Sequence, residues 1–231
     1  MNQAPLCPLC AERATTRFFE ACDYITGQFF PLWHCARCDF AFVWPQPLAM
    51  EIFYPRFYRR YNSLIVALLQ HVQSHRAKQW IRRFGPSQQI LEIGCGDGWM
   101  LAALRELGWK PIGIERTIES ARFAATKQEL PMFVGDLAAL QDSSFDIILL
   151  HQSLEHLTDP VATLAECRRL LRPNGHLIVA VPNMASWQFR VGRRHWLHLD
   201  VPRHLNQFTP SSLQKAMNRT GLGVEQIYCS P

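Results

Sequence analysis

The sequence has no apolar run near the roughly 20 residues that a membrane-spanning helix requires. The start of the chain, residues 1–5, lacks the charged region and apolar stretch of a secretory signal peptide. These absences predict a cytoplasmic protein with no membrane span. In a reducing compartment the eight cysteines are expected to be metal ligands or free thiols rather than disulfides.

Acidic residues are missing from residues 56–84, although the 231-residue chain contains 19 of them and carries a net charge of +5. The same stretch holds the basic residues Arg56, Arg59, Arg60, Arg76, Lys78, Arg82 and Arg83. A second basic cluster comprises Arg190, Arg193 and Arg194. Such clusters can contact phosphates of nucleotide-linked or nucleic-acid substrates, but they are equally typical of solvated helix faces. Internal repeats and low-complexity tracts are also absent, and the length fits one α/β domain plus a small appendage.

A glycine-rich turn follows an apolar run at residues 89–93, which predicts a buried strand. Gly94, Gly96 and Gly98 come next, and an amphipathic run over 99–107 predicts a helix. Glycines allow a tight turn and close ligand approach, and the helix start offers unpaired N–H groups. The spacing differs from the Gly-x-Gly-x-x-Gly of pyrophosphate binders. Glu92, two residues before the first glycine, favours a cationic ligand over a phosphate.

Residues 92–98, Glu-x-Gly-x-Gly-x-Gly, resemble the first motif of the class I S-adenosylmethionine (SAM) methyltransferases. The resemblance continues over roughly residues 62–230. It implies an α/β fold with a doubly wound, mostly parallel, Rossmann-like sheet, and SAM as the cofactor. The motif residues that it assigns to cofactor binding are Glu92, Gly94, Cys95, Gly96 and Gly98.

Further cofactor positions follow the next three predicted strands, at 110–115, 132–134 and 145–150. A carboxylate about 20 residues past the glycines can accept hydrogen bonds from both ribose hydroxyls, and in the family this acid has that role. In the family an acid after the third strand binds the adenine amino group, and the next backbone N–H meets a ring nitrogen. The positions assigned in this way are Glu115, Arg116 over the adenine, Asp136, Leu137, and His151 and Gln152 beside the methionine part.

Two histidines are candidate general bases, because histidine titrates near neutral pH. His156 lies in the segment 151–160, which resembles the family's fourth-strand signature; the alternative is that Glu155 and His156 brace this loop. Residues 203–209 resemble the family's Arg-His-x-x-x-Phe-Thr segment, which implies that His204 lies on the substrate side of the cofactor. His204 is therefore the better candidate. Residues 184–208, rich in Trp, Arg and His, are predicted to form a functional loop.

Two Cys-x-x-Cys pairs occupy the N-terminal part, separated by 24 residues: Cys7, Cys10, Cys35 and Cys38. Four thiolates at this spacing predict a structural zinc site with no open coordination position. The predicted organisation is a zinc ribbon over 1–45, a linker over 46–61 and a methyltransferase domain over 62–231. Short β segments are expected at 17–19 and 27–33.

Residues 222–230 are predicted to form a sixth strand of the sheet. The family fold normally adds a reversed seventh strand, so the chain is expected either to be truncated at its C-terminus or to leave a sheet edge open.

The ribbon, the Trp-Pro-x-Pro linker and the methyltransferase domain resemble the layout of a bacterial group that includes sugar C-methyltransferases. This layout predicts SAM-dependent methyl transfer to a small-molecule acceptor, a sugar or secondary metabolite. One alternative is RNA base methylation that uses the ribbon and the basic stretch, because ribosomal RNA guanine methyltransferases also carry an N-terminal four-cysteine module. Another is a SAM-binding scaffold without turnover.

Overall fold

The computed structural model describes residues 4–13, 15–54, 63–86 and 88–229. Of the basic stretch, Arg56, Arg59 and Arg60 lie outside the described residues. The strands and α-helices in chain order are β1 (Thr15–Cys22), β2 (Phe29–Cys35), β3 (Phe40–Val43), α1 (Ser63–Phe84), β4 (Gln89–Ile93), α2 (Trp99–Glu106), β5 (Lys110–Glu115), α3 (Ile118–Lys127), β6 (Met132–Val134), β7 (Phe145–His151), α4 (Pro160–Leu170), β8 (Leu171–Ala180), α5 (Trp187–Gly192), β9 (Asn206–Gln207) and α6 (Pro210–Arg219).

The chain divides into two compact units. Unit 1 contains Met1–Tyr58, Leu154–Arg168 and Val181–Pro231, and unit 2 contains Arg59–Ser153 and Arg169–Ala180. The predicted boundaries at 45 and 61 follow the order of segments along the chain, whereas these units group residues by proximity. The domain boundaries therefore stay a prediction.

Unit 2 is built on a five-stranded parallel sheet with the strand order β6-β5-β4-β7-β8. The central strands are apolar because both faces are covered, and Ile90, Leu91 and Leu149 are fully buried. Apolar residues of α1 and α2, including Ala77 and Leu101, pack in the same core. The predicted parallel α/β sheet is confirmed.

Unit 1 contains a four-stranded antiparallel sheet with the order β1-β2-β3-β9. The short strand β9 comes from the segment 184–208 and pairs with β3 through Ala41–Gln207 and Phe42–Asn206. Most apolar side chains of this segment enter the core beneath the sheet: Met184, Phe189, Trp196, Leu199, Val201 and Leu205. Much of the segment predicted as a functional loop is therefore structural.

Helix α6 packs on the N-terminal cysteine pairs. A capping box formed by Thr209 and Ser212 begins the helix. The Thr209 hydroxyl also donates to the Asp39 carbonyl at 2.9 Å, and Lys215 Nζ donates to the Arg37 carbonyl at 2.8 Å. These bonds attach the helix to residues just after β2.

The predicted sixth strand at 222–230 is wrong, because residues 222–229 carry no strand. A strand needs a hydrogen-bonded neighbour and a face to bury. Ile227 and Tyr228 are instead exposed. Among the described residues, no helix combines the length and apolarity needed to cross a membrane.

Candidate functional site

Four predicted cofactor positions follow the carboxyl ends of adjacent strands in unit 2. Gly94 follows β4, Glu115 ends β5, Asp136 lies just beyond β6, and His151 ends β7. Because the strands are parallel, these ends share one edge of the sheet. The strand order reverses between β4 and β7, which is where open parallel sheets bind ligands. The fold therefore brings these positions to one edge.

The turn after β4 requires glycine at its alternate positions. Gly94, Gly96 and Gly98 have φ values of +71°, +54° and +72°, in the left-handed region. A Cβ on Gly94 would lie 2.9 Å from the Ser153 Cβ, and one on Gly98 would lie 2.5 Å from Leu130 Cδ1. The turn thus has both the conformation and the close packing that exclude side chains.

The Glu115 carboxylate lies against this turn. Its Oε1 accepts a hydrogen bond from the Gly96 backbone N–H at 2.7 Å. An ionised carboxylate has about four lone-pair positions, so one bond to the backbone leaves capacity for further donors. A carboxylate fixed at the bend can bind a diol such as a ribose.

Glu92 is a buried acid in the central strand β4. It is only 3% exposed, and its Oε2 accepts no hydrogen bond from the described residues. Burial, together with the nearby charge of Glu115, raises the pKa of Glu92 to about 8. The side chain is therefore mainly protonated at neutral pH, and a cation beside it would favour its ionised form.

Cys95 lies within the turn as a partly buried thiol. Its Sγ is 3.9 Å from Met132 Sδ. Burial, reinforced by Glu92 and Glu115, raises its pKa well above the ordinary value. It is therefore a packing group and not a nucleophilic thiolate.

The residues assigned to the adenine lie at the exposed end of the edge. Asp136 caps the short 3-10 helix Leu137–Ala139 by accepting from the Ala138 N–H at 3.3 Å. The Leu137 carbonyl accepts from Arg169 Nη2 at 2.9 Å. Arg116 is exposed. Asp136 and Leu137 are thus held in place, and the role of Arg116 over the adenine stays a prediction.

His151 has a basic partner that the sequence analysis did not pair with it. Arg76 Nη1, on α1, donates to His151 Nε2 at 3.0 Å. Burial and the charge of Arg76 lower the pKa of His151 to about 4, so the imidazole is neutral near pH 7. The next residue, Gln152, has φ of +56°, and its N–H donates to the Ala180 carbonyl at 2.8 Å. The only signal for Arg76 was its place in the acid-free stretch, which did not indicate a partner.

The two candidate bases lie together in unit 1. The rings of His156 and His204 are 4.6 Å apart in an edge-to-face arrangement. Each of these histidines and Glu155 offers one ligand atom, and the three atoms lie within 4.8 Å of one another. Burial lowers the pKa of His204. The structure therefore joins two histidines that the sequence analysis treated as alternatives.

Arg203 is a buried structural residue that the sequence analysis did not identify as such. Its side chain is fully buried, and it donates to Asp23 Oδ1 at 2.8 Å, Asp200 Oδ1 at 2.8 Å and the Phe53 carbonyl at 3.0 Å. It thereby connects the turn after β1, the segment before β9 and the short 3-10 helix Met50–Phe53. A hydrogen-bonded partner 180 residues away leaves no local signal in a sequence.

The four N-terminal cysteines converge, with all four Sγ atoms within 4.8 Å of one another. The Cys10 and Cys35 sulfurs are 3.8 Å apart. A tetrahedral zinc ion with Zn–S bonds of about 2.3 Å has sulfurs about 3.8 Å apart, so the cluster fits this ion. Each pair also forms a backbone turn of the same kind. In the first pair the Ala11 N–H donates to the Cys7 carbonyl, and in the second the Asp39 N–H donates to the Cys35 carbonyl.

Comparison with known proteins covers most of the chain after the cysteine pairs. The family model described as "Methyltransferase domain" matches residues 69–227. A ubiquinone biosynthesis O-methyltransferase of Albidiferax ferrireducens is 30% identical over 144 residues, covering 56% of this chain and 57% of that protein. Another protein of that name, from Rhodopseudomonas palustris, is 29% identical over 150 residues, covering 60% and 59%. The chain thus spans less than two thirds of these relatives.

Solved structures give the same fold. A SAM-dependent methyltransferase from Archaeoglobus fulgidus superposes with a TM-score of 0.55 at 22% identity, covering 66% of this chain and 68% of that one. At this identity the likeness concerns the fold alone.

Proposed function

The chain belongs to the methyltransferase-domain family and is a SAM-dependent methyltransferase, and on that premise we propose that it methylates a small-molecule acceptor. The observation that supports SAM as the cofactor is the position of the Glu115 carboxylate, whose Oε1 lies 2.7 Å from the Gly96 backbone nitrogen at the glycine turn. The acceptor class is supported by relatives that are named for ubiquinone biosynthesis, which is small-molecule chemistry.

The cofactor is held by residues at the sheet edge in this proposal. When bound, SAM supplies an electrophilic methyl group. Glu115 accepts hydrogen bonds from the ribose, and Asp136 with the Leu137 N–H binds the adenine. The ionised form of Glu92 neutralises the positive charge of the ligand. Gly94, Gly96 and Gly98 let the backbone approach, so catalysis rests mainly on positioning.

Proton removal from the acceptor is assigned to the cluster of Glu155, His156 and His204. His204 Nδ1 lies 2.7 Å from the His198 carbonyl. A carbonyl only accepts hydrogen bonds, so Nδ1 carries the proton and Nε2 carries the lone pair. Burial lowers the pKa of His204, which favours its neutral, basic form.

The N-terminal cysteines are proposed to hold one structural zinc ion. The matching sulfur spacing and the paired backbone turns support this assignment. With all four positions occupied by thiolates, the ion has no open site for substrate.

Methyl-transfer profiling tests the acceptor class. The full chain is incubated with isotopically labelled SAM and, separately, a cellular small-molecule fraction and an RNA fraction, and labelled products are identified by mass spectrometry. We expect label in the small-molecule fraction. Label confined to RNA, with binding that weakens steeply with salt, would instead support RNA methylation through Lys78, Arg82 and Arg83, which are exposed on α1. SAM binding without transfer in any fraction would support a scaffold.

A further inference from the structure

Glu155, His156 and His204 form a compact cluster of mixed ligands, separate from the four cysteines. One ligand atom from each lies within 4.8 Å of the other two. Glu155 is fully buried and His204 is 8% exposed. Two imidazoles and one carboxylate are the ligands of open, non-thiolate metal sites such as His2Glu zinc and two-histidine-one-carboxylate iron sites.

Both histidines are held in the tautomer that a metal ligand needs. His156 Nδ1 lies 2.9 Å from the Arg203 carbonyl, and His204 Nδ1 lies 2.7 Å from the His198 carbonyl. Each Nδ1 must donate to its carbonyl, which leaves the lone pair on Nε2. Backbone carbonyls that bind the second nitrogen in this way orient metal-ligating histidines in known sites.

The element that orients His156 is itself rigid. The Arg203 carbonyl belongs to the residue whose guanidinium binds Asp23 and Asp200 in the buried ion network. His204 is the next residue, and its backbone N–H donates to the Asp200 carbonyl at 2.9 Å. The cluster is thus supported by a second layer of fixed polar groups, as open metal sites require.

We propose that Glu155, His156 and His204 bind one divalent transition-metal ion, such as Zn²⁺, Fe²⁺ or Mn²⁺, with open positions for an oxygen ligand. Three protein ligands leave coordination positions for water or substrate, in contrast to the closed four-thiolate site. Nitrogen and oxygen ligands also select a different range of ions from thiolates.

The role of this ion rests on the proposed function. An oxygen ligand in an open position, water or a hydroxyl, would have its pKa lowered by the ion. Glu155, His156 and His204 would supply the ligand atoms that hold the ion.

Cobalt substitution distinguishes the two sites. The metal-free full chain is titrated with Co²⁺, and bound metal is counted by equilibrium dialysis. Cobalt at the four cysteines gives an intense thiolate charge-transfer band, whereas cobalt bound by nitrogen and oxygen gives weak d–d bands alone. We expect two ions per wild-type chain and one ion in Glu155→Gln and His204→Gln, with the thiolate band unchanged. His195→Gln, an exposed histidine of the same unit, should keep two.

The thiolate band and the SAM affinity measured by calorimetry report folding of each unit in every variant. One ion per wild-type chain, carrying the thiolate band, overturns the proposal. So does a second ion that persists in the double variant Glu155→Gln/His204→Gln. Failure of the proposed function gives a different result. In that case the wild-type chain would bind two ions but would methylate no acceptor.

Discussion

Glu92 shows how a single buried acid can be tuned to a cationic ligand. Its pKa rises from the ordinary 4.5 to about 8 because it is buried and lies near Glu115. The chain therefore keeps a proton on this residue at pH 7 in the absence of a cation. Binding of a cation beside it should release that proton, so this residue couples cofactor binding to pH.

The pKa of Glu92 predicts a pH-dependent stability. A raised folded-state pKa gives a contribution that is complete below pH 4.5 and is lost as pH rises through about 8. The free energy of unfolding of the wild type should therefore fall between pH 5 and 8 relative to that of Glu92→Gln. Urea unfolding at several pH values measures this difference. Glu119→Gln, at an exposed position on α3, should keep the wild-type slope; equal slopes in all three proteins would contradict the prediction.

Substitution of Glu115 should weaken cofactor binding. Glu115→Gln removes a charged acceptor at the glycine turn, and hydrogen bonds to charged groups contribute about 1.5–3 kcal/mol. We expect SAM to bind roughly 10- to 100-fold more weakly by calorimetry. The exposed Glu119→Gln again serves as the control. An unchanged affinity in Glu115→Gln would remove the ribose contact from the proposed site.

At the scale of residues, the sequence predicts where side chains lie in the fold when they follow strand ends, and their roles stay predictions. The positions of Gly94, Glu115 and His151 were predictable because each ends or follows an apolar run. Arg76 and Arg203 were not paired with their partners, because each binds a group far away in the chain. Long-range contacts of this kind depend on the fold and leave no periodic pattern.

At the scale of elements, the parallel sheet was predictable and the segment 184–208 was not. Strands β4, β5 and β7 are short apolar runs bounded by turn residues, which is a strong local signal. Strand β9 consists of Asn206 and Gln207, two polar residues that are buried. Gln207 Nε2 donates to the Leu199 carbonyl at 3.0 Å, and Asn206 Nδ2 donates to the Leu157 carbonyl at 2.6 Å. Tertiary hydrogen bonds permit this burial, and a sequence pattern does not encode them.

Breaking the buried ion network of Arg203, Asp23 and Asp200 should greatly lower the free energy of unfolding. Arg203→Met leaves Asp23 buried without its guanidinium, and breaking a buried pair in this way costs about 3–5 kcal/mol. Thermal and urea unfolding of the full chain measure the loss. Arg194→Met, at an exposed position, should change stability by less than about 0.5 kcal/mol. Asp23→Asn should cost less in the Arg203→Met background than alone, because it removes the uncompensated charge; equal costs would rule out coupling between the two residues.

At the scale of the whole molecule, unit 1 joins segments from the two ends of the described chain into one sheet. β3 lies directly after the second cysteine pair, and β9 lies more than 160 residues later. The Val43 N–H donates to the Leu205 carbonyl at 2.9 Å, beside the β3–β9 pairs. A zinc ion at the cysteines would therefore stabilise backbone far away in sequence. Small modules of this type depend on metal for much of their folding energy.

Hydrogen exchange after metal removal should show whether β9 depends on the zinc site. Chelation removes the proposed zinc from the four cysteines. The metal–thiolate bonds at the end of β2 and just before β3 are then lost. We expect peptides covering 15–43 and 205–209 to lose protection together in mass-spectrometric exchange, and zinc addition to restore both. Peptides from β4 and β5 in unit 2 provide the internal reference. Faster exchange confined to residues 5–12 and 35–39, with 205–209 unchanged, would show that the metal stabilises only its own turns. Joint loss requires β9 to depend on β3 for its backbone pairing, because so short a strand is not stable without a hydrogen-bonded neighbour.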